Sequence, residues 1–339
     1  AGVVFEVHAA ETIIGKDGTV WYEQDALVDT ITTTASGADA SMLLPLGRYY
    51  LIETAAPDGY AFDDTRYEAD LVYADDQTLI VETKVTLVNE YLPVEITLQK
   101  EKEILVTTNH NDDTVTQAIA NAPGQGFIFG LYNDKDIHYD GGTLMADTLV
   151  ATGATDADGN LTFAGHYPHE DYYIKELSAP DGWKLNPNIF SVTLDPSAQS
   201  DSIIRVALPE AVHNELIYTR ITLTKMNITG EKTFPGAQIE VSNSSGEVIY
   251  RAYTDENGQI PDIPVTPGTY TFREAFAPEG YAMSEAEMSF TVDEYGNVIG
   301  DIVIRDDYTR VSLRKQNEDG LPLAGVEFAL LKEDGSTLM

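Results

Sequence analysis

The chain has 339 residues, of which 43% are hydrophobic, and its 56 acidic and 20 basic residues give a formal net charge of −36. Such an excess of negative charge repels phosphate backbones and anionic lipid headgroups, which argues against nucleic-acid binding. Cysteine is absent, so disulfides and thiolate chemistry are excluded, and no apolar run is long enough to predict membrane insertion.

The first predicted module covers residues 1–93. It opens on the segment AGVVFEV, and a later segment, PLGRYYLIETAAPDGYAF, starts at Pro45. Apolar and polar residues alternate in both segments with a period of two, which is typical of half-buried strands. Comparison with the later modules indicates that this module lacks its first strand, which would precede residue 1.

The second predicted module covers residues 94–219 and repeats the same order. Its first strand, VEITLQK, ends at Lys100, and the segment EDYYIKELSAPDGWKL starts at Glu170. The stretches 101–121 and 134–147 have no counterpart in the other modules. We therefore predict that they are enlarged loops on a constant frame.

The third predicted module covers residues 220–309, with a first strand that ends at Lys225 and the segment TPGTYTFREAFAPEGYAM from Thr266. Residues 310–339 repeat the opening of a module and are predicted to start a fourth. Motifs that recur in the same order establish an internal repeat. Short alternating strands separated by Gly, Asn and Pro turns predict an all-β chain of tandem β-sandwiches.

Each module places charged or amide side chains on the apolar face of a strand, where Lys100, for example, follows Ile96 and Leu98. Burying an unpaired ammonium or carboxylate is costly, so we predict that these groups meet in the core. The corresponding residues are Glu53 and Asn89 in the first module; Lys100, Glu176 and Asn214 in the second; Lys225, Glu274 and Asp306 in the third; and Lys315 in the fourth.

Two outcomes are compatible with such a meeting. One is a buried Lys–Glu ion pair that is hydrogen-bonded to the carboxamide. The other is a reaction, because an apolar setting lowers the pKa of a lysine and raises that of a glutamate. A neutral amine then attacks the carboxamide, while the protonated glutamate polarises the carboxamide oxygen and passes its proton to the departing ammonia. Glu53, Glu176 and Glu274 are the candidate catalytic residues for this single-turnover crosslink.

The order of a lysine, the motif G-x-Y-x-x-x-E-x-x-A-P-x-G-Y and a late Asn resembles the Cna protein B-type domains of Gram-positive surface proteins, which are prealbumin-like, SpaA-type pilin repeats. The segment KQNEDGLPLAGVEFALLKEDGS from Lys315 is similar to that family's opening. The resemblance implies immunoglobulin-like or prealbumin-like β-sandwich modules. It also implies isopeptide bonds from Lys100 to Asn214, assisted by Glu176, and from Lys225 to Asp306, assisted by Glu274. The second bond would release water, and a Lys–Asp pair can instead stay a salt bridge.

The resemblance further implies an extracellular, cell-wall-attached location on a Gram-positive bacterium, with other modules or subunits of the same surface protein as partners. We predict a structural stalk or pilus-shaft segment that is not an enzyme beyond its own crosslinking. The alternative is an adhesin module whose enlarged second repeat binds a host matrix protein or a glycan.

No cofactor and no metal site is predicted. TDADGN, from Thr155, is interpreted as a hairpin turn, and the pair His166 and His169 as loop residues. Pairing of Lys315 of one chain with Glu53 and Asn89 of the next is ranked below simple truncation of the two end modules.

Overall fold

The computed structural model describes residues 1–139, 142–195, 197, 202–278, 281–306, 312–329, 331 and 335–336. In these residues the extended regular elements are all β-strands, which confirms the predicted all-β fold. No helix in the described part of the chain is long and apolar enough to cross a membrane.

Six strands lie in the first module: β1 Val4–Ala9, β2 Ile13–Ile14, β3 Val20–Tyr22, β4 Leu27–Thr32, β5 Gly47–Ala55 and β6 Tyr67–Leu71. One antiparallel sheet has the order β4-β1-β5-β6, and β2 pairs with β3. Alternate residues of β1 are buried, namely Phe5, Val7 and Ala9, as the period-two pattern predicts. Val7 and Ala9 pack with Tyr49 of β5 in a small hydrophobic core.

Eleven strands lie in the second module: β7 Val94–Asn109, β8 Val115–Pro123, β9 Ile128–Asn133, β10 Ile137–Tyr139, β11 Gly142–Leu144, β12 Leu149–Ala154, β13 Asn160–Gly165, β14 Asp171–Ser178, β15 Ile189–Thr193, β16 Ile204–Ala207 and β17 Val212–Asn214. One sheet has the order β12-β9-β14-β15. In the other, β7 pairs with β13 in antiparallel orientation and with β16 and β17 in parallel. Residues of both sheets, including Ile96, Phe129 and Ile174, share one core, as in a β-sandwich.

Eight strands lie in the third module: β18 Thr219–Asn227, β19 Gln238–Asn243, β20 Val248–Tyr253, β21 Gln259–Val265, β22 Gly268–Phe276, β23 Met288–Val292, β24 Val298–Ile299 and β25 Val303–Asp306. The strands β20-β19-β22-β23-β24 follow one another in one sheet, and β21-β18-β25 form the other. The last strand, β25, again runs parallel to the first strand, β18. Leu223, Val241 and Phe272 lie in the shared core.

The stretch 101–121 differs from the prediction of a loop, because most of it is strand. β7 continues to Asn109 and β8 returns from Val115, with a turn in which the N–H of His110 donates to the carbonyl of Thr114 at 2.9 Å. Ile104, Val106 and the threonines that follow favour the extended backbone, so the enlargement is a long hairpin. The other enlargement, 134–147, contains the short ladder of β10 and β11.

The chain divides into two compact units, Ala1–Ile104 with Ala120–Leu216, and Leu105–Ile119 with Ile217–Met339. The tip of the hairpin therefore belongs to the second unit. Within that unit Val115 is buried and pairs with Arg251 of the edge strand β20. The Arg251 guanidinium also donates to Asp113 at 2.6 Å. The hairpin tip thus covers part of an edge that would otherwise be open to pairing.

A tyrosine near the start of the middle strand of each module donates its hydroxyl to the carbonyl four residues earlier. The three bonds are Tyr49 to Pro45 at 2.8 Å, Tyr172 to Pro168 at 2.9 Å and Tyr270 to Thr266 at 2.9 Å. A buried tyrosine needs such a partner for its hydroxyl. The bond ties the entry loop to the strand that carries the module's glutamate.

Candidate functional site

The second module brings together the three residues predicted for it. Lys100 lies on β7, Glu176 on β14 and Asn214 on β17, and their exposed fractions are 0%, 5% and 1%. In the parallel ladder Val212 is the partner of Lys100, and Asn214 is the partner of Lys102. Side chains two residues apart on a strand point to the same face, so Asn214 lies on the same face as Val212, the residue opposite Lys100. Lys100 and Asn214 are therefore diagonal neighbours on adjacent strands.

The carboxamide of Asn214 is held by its nitrogen. Nδ2 donates to Glu176 Oε1 at 2.7 Å and to the carbonyl of Lys184 at 2.8 Å. The backbone N–H of Asn186 also donates to Glu176 Oε1, at 3.3 Å. Asn214 Oδ1 and Glu176 Oε2 are buried without a hydrogen-bond partner. A proton on the glutamate could satisfy one of these two oxygens, which favours the protonated acid.

The amine of Lys100 contacts two backbone carbonyls and an aromatic ring. Nζ donates to the carbonyl of Val212 at 2.9 Å and to the carbonyl of Glu101. It also lies 4.2 Å from the centroid of the buried Phe127 ring. Carbonyl oxygens accept from an ammonium or an amine, so this environment does not require the charged form.

Burial shifts both titratable groups toward their neutral forms. It lowers the pKa of Lys100 to about 8, and the charge of Glu176 only partly opposes this shift. Burial also raises the pKa of Glu176, against the hydrogen bonds from Asn214 and Asn186 and the charge of Lys100. A neutral amine and a neutral carboxylic acid are therefore both more accessible near neutral pH than on a protein surface.

The third module repeats this placement with a carboxylate in place of the amide. Lys225, Glu274 and Asp306 are on β18, β22 and β25, and their side chains are 0%, 0% and 2% exposed. Lys225 Nζ lies 3.0 Å from Glu274 Oε2 and 2.5 Å from Asp306 Oδ1. Ile304 pairs with Lys225 and Asp306 with Asn227, the same offset of two residues as in the second module.

The charges of the two carboxyl groups and the one amine in this closed site do not cancel if all three groups are ionised. One excess negative charge would then be buried, which is costly in an apolar core. Glu274 Oε1 and Asp306 Oδ2 are buried without a hydrogen-bond partner. The site is neutral if one of the two carboxyl groups carries a proton. Condensation of Lys225 with Asp306 would then release water and leave the Glu274 carboxyl group buried beside an amide.

The first module contains the glutamate and the asparagine only. Asn89 Nδ2 donates to both carboxylate oxygens of the buried Glu53, at 2.8 and 2.9 Å, and to the carbonyl of Ala61 at 3.0 Å. This matches the arrangement of Asn214 between Glu176 and the carbonyl of Lys184. In the described part of the chain, no lysine amine is hydrogen-bonded to either side chain.

Lys315 is exposed and is not brought to the other predicted residues. Its backbone nevertheless repeats the local pattern, because its carbonyl accepts from the N–H of Leu323 at 3.0 Å. The carbonyls of Lys100 and Lys225 accept in the same way from Gly124 and Phe234.

The segments considered as metal sites have other contacts. The Asp156 carboxylate accepts the backbone N–H groups of Asp158 and Asn160 at 3.0 and 2.8 Å, as in a turn. The ring of His169 packs edge-on against Tyr60 and Tyr91. The described residues contain no group of three His, Asp or Glu that could hold a metal ion.

Three contributors to the second site were not predicted. They are the ring of Phe127, the backbone carbonyl of Lys184 and Asn186, whose side chain donates to the carbonyl of His213 at 2.8 Å. A phenylalanine beside a glycine pair was visible in the sequence, but nothing in its spacing indicated contact with Lys100. The carbonyl of Lys184 and the N–H of Asn186 are backbone groups that any residue could supply, so the sequence gives no sign of these contacts.

A family profile described as SpaA, prealbumin-like fold domain, matches residues 1–91, 112–206 and 219–307, and each range contains one of the three glutamates. The chain belongs to this SpaA family of prealbumin-like domains. The match confirms the predicted family and the tandem prealbumin-like β-sandwich fold.

Solved structures similar to this SpaA-family chain include the Bacillus anthracis TIE protein, with 22% identity and a TM-score of 0.53 over 90% of this chain and 46% of that chain. This chain thus spans less than half of that protein. The shaft pilin SpaA from Lactobacillus rhamnosus GG has 19% identity and a TM-score of 0.27 over 65% of this chain and 100% of the pilin. The major pilin subunit BcpA of Bacillus cereus has 15% identity and a TM-score of 0.31 over 91% of this chain and 94% of the pilin. No curated protein matched.

Proposed function

We propose that this chain is a load-bearing segment of a cell-surface stalk or pilus shaft, outside a Gram-positive cell, in which the second and third modules are each closed by an amide bond between side chains. The observation that carries the proposal is the common offset of lysine and acceptor on parallel first and last strands, Lys100 with Asn214 and Lys225 with Asp306. A buried glutamate beside each pair supports it.

The bond in the second module would form by attack of the neutral Lys100 amine on Cγ of Asn214. Glu176, protonated, donates to the carboxamide oxygen as negative charge develops there, and its carboxyl group then delivers a proton to Nδ2. Glu176 Oε1 already lies 2.7 Å from Nδ2, the nitrogen that leaves as ammonia. The new Nζ–Cγ bond replaces the Cγ–Nδ2 bond, and the glutamate can recover its proton from the former amine.

The bond in the third module would form between the Lys225 amine and Cγ of Asp306, with loss of water. Asp306 reacts as the neutral acid, since an ionised carboxylate is a poor electrophile, and Glu274 accepts the amine proton. The ammonium–carboxylate contact at 2.5 Å stabilises the unreacted pair. We therefore propose that this bond forms more slowly than the one in the second module.

An amide bond between the first and last strands of a module would help a stalk to resist tension. The two bonded strands are the first and last of a module, so tension would bypass the residues between them. Disulfides, the common extracellular staple, are ruled out because the chain has no cysteine. The contacts of Val115 and Asp113 within the second unit favour a structural use of the hairpin over its use as a free binding loop.

Stretching a single molecule from its two termini tests the load-bearing role. Without bonds, unfolding releases at most about 3.3–3.6 Å per residue of every module. With bonds, the lengths between Lys100 and Asn214 and between Lys225 and Asp306 are never released. The double variant Lys100→Ala/Lys225→Ala is the control that should regain both lengths. Full extension of the unaltered protein would refute the proposal.

A further inference from the structure

Gly124 and Phe234 occupy equivalent places beside the two site lysines. The N–H of Gly124 donates to the carbonyl of Lys100 at 2.9 Å, and the N–H of Phe234 donates to the carbonyl of Lys225 at 3.0 Å. The carbonyls of Gly124 and Phe234 in turn accept from a threonine hydroxyl, at 2.5 and 2.7 Å. The backbone thus fixes the correspondence even though a glycine faces a phenylalanine.

Three residues further along, Phe127 and Ala237 are equivalent as well. The N–H of Phe127 donates to Oγ1 of Thr155 at 3.1 Å, and the N–H of Ala237 donates to Oγ1 of Thr254 at 3.0 Å. Thr155 and Thr254 are the same two threonines whose hydroxyls donate to the carbonyls of Gly124 and Phe234. We call the place of Gly124 and Phe234 the first position and that of Phe127 and Ala237 the second. The two modules therefore carry their aromatic side chain at different positions of this pair. The second module has a glycine and then a phenylalanine, and the third has a phenylalanine and then an alanine.

The exchange has a steric reason. A Cβ added to Gly124 would lie 2.6 Å from Cγ of Lys100 and 3.1 Å from the ring of Phe127. A side chain at the first position thus points at the stem of the lysine and at the space that the ring fills. Both positions cannot carry large groups, and each module has a phenylalanine at one of the two positions. The Phe234 ring packs against Tyr281, with the ring centroids 4.4 Å apart. Phe127 is 0% exposed and Phe234 is 2% exposed.

We propose that Phe127 and Phe234 are equivalent positioning residues for amide formation, each sealing its lysine from water and directing the amine toward the acceptor strand. This inference rests on the proposed crosslinking. A ring face also attracts an ammonium, but that attraction is smaller than the cost of removing an ammonium from water, so the net effect of the enclosure favours the neutral amine.

The variant Phe127→Ala tests the role of the ring in the full chain. The unreacted protein is dissolved in denaturant and refolded by dilution, and the digest is assayed over time for the peptide that joins Lys100 to Asn214. The amine gains access to water in this variant, so its pKa moves back from about 8 toward that of a free lysine. We expect bond formation at neutral pH to slow roughly ten- to hundred-fold. The limb of the pH–rate profile near pH 8 should move to higher pH.

Three further variants separate positioning from packing. Phe163→Ala removes another buried ring of the same core and should leave the rate and the pH–rate profile unchanged. Gly124→Phe/Phe127→Ala copies the third module and should restore most of the rate. Circular dichroism checks that each variant folds, and Phe127→Leu, which keeps the site apolar, should lie between the unaltered protein and Phe127→Ala.

The outcomes distinguish this inference from the proposed function. If the unaltered protein never yields the joined peptide, the crosslinking proposal itself is wrong. If the unaltered protein reacts and Phe127→Ala reacts as fast with the same pH dependence, crosslinking stands and the positioning role is refuted. If the double variant stays as slow as Phe127→Ala, the two phenylalanines are not equivalent and the inference is overturned.

Discussion

The Lys100 amine donates a 2.9 Å hydrogen bond to the carbonyl of Val212, two residues before Asn214. The partners are 112 residues apart in sequence, so this contact joins the first strand of the second module to its last. The third module makes the same connection through Lys225 and Asp306 across 81 residues. A bond at either place would close almost a whole module into a ring.

Lys100→Ala should remove that closure and destabilise the second module. The entropy of closing a loop of about 100 residues is worth about 4–5 kcal/mol. We expect a loss of at least this size in the free energy of unfolding, measured by denaturant titration. The matched control is Lys135→Ala, which breaks the ion pair of an exposed lysine with Asp171 and should change stability by less than about 1 kcal/mol. Equal effects of the two substitutions would show that no crosslink stabilises the module.

Glu176→Gln should fold but fail to form the bond between Lys100 and Asn214. The glutamine keeps an oxygen that can accept from Asn214 Nδ2, yet it cannot carry a proton to the leaving nitrogen. Loss of such proton transfer typically slows a reaction by about 10²–10⁴-fold. The joined peptide in a proteolytic digest is the readout, with the exposed Glu215→Gln as control. Unchanged crosslinking in Glu176→Gln would remove the glutamate from the mechanism.

Asn214→Ala should become more stable as the pH rises from about 8 to 10. This variant cannot crosslink, so Lys100 stays buried as an amine with a pKa of about 8, against 10.5 in the unfolded chain. Between these values the unfolded state binds more protons than the folded state, and stability therefore rises with pH. The gain should approach about 3 kcal/mol.

Thermal unfolding across this pH range measures the effect, and Lys100→Met/Asn214→Ala is the control. The double variant lacks the titrating amine and should not show the gain. A flat profile in Asn214→Ala would mean that Lys100 is hydrated and charged in the folded protein.

Tyr172→Phe should cost about 1 kcal/mol of stability without preventing the crosslink. The substitution removes the hydroxyl that donates to the carbonyl of Pro168 at 2.9 Å, and one such bond has about that net worth. The half-exposed Tyr253→Phe serves as control. Loss of the joined peptide in Tyr172→Phe would show that this bond also holds the strand of Glu176 in register.

Much of the fold and the central residues of the site could be predicted from the chain alone. Period-two alternation identified the strands, and polar residues on apolar faces identified Lys100, Glu176 and Asn214 because buried charge is too costly to occur without a partner. The stretch 101–121 could not be predicted as a hairpin from its polarity. Its strands depend on pairing and on the contact of Val115 with a strand more than a hundred residues away.

The correspondence of Gly124 with Phe234 could not be predicted from the sequence either, since a glycine and a phenylalanine do not align by residue type. Only the repeated backbone hydrogen bonds to Lys100 and Lys225 show that the positions correspond. The carbonyl of Lys184 on the Asn214 amide is a backbone partner, which any residue could supply. Such contributions depend on tertiary geometry and not on the identity of the side chain.

The intact mass of the purified chain tests the central claim most directly. Bonds in the second and third modules predict a mass below that of the sequence by one ammonia and one water. The variants Lys100→Ala and Lys225→Ala should each abolish one of the two losses, after allowance for the substitution itself. A mass equal to that of the sequence would contradict the account and leave both sites as buried, uncrosslinked polar clusters.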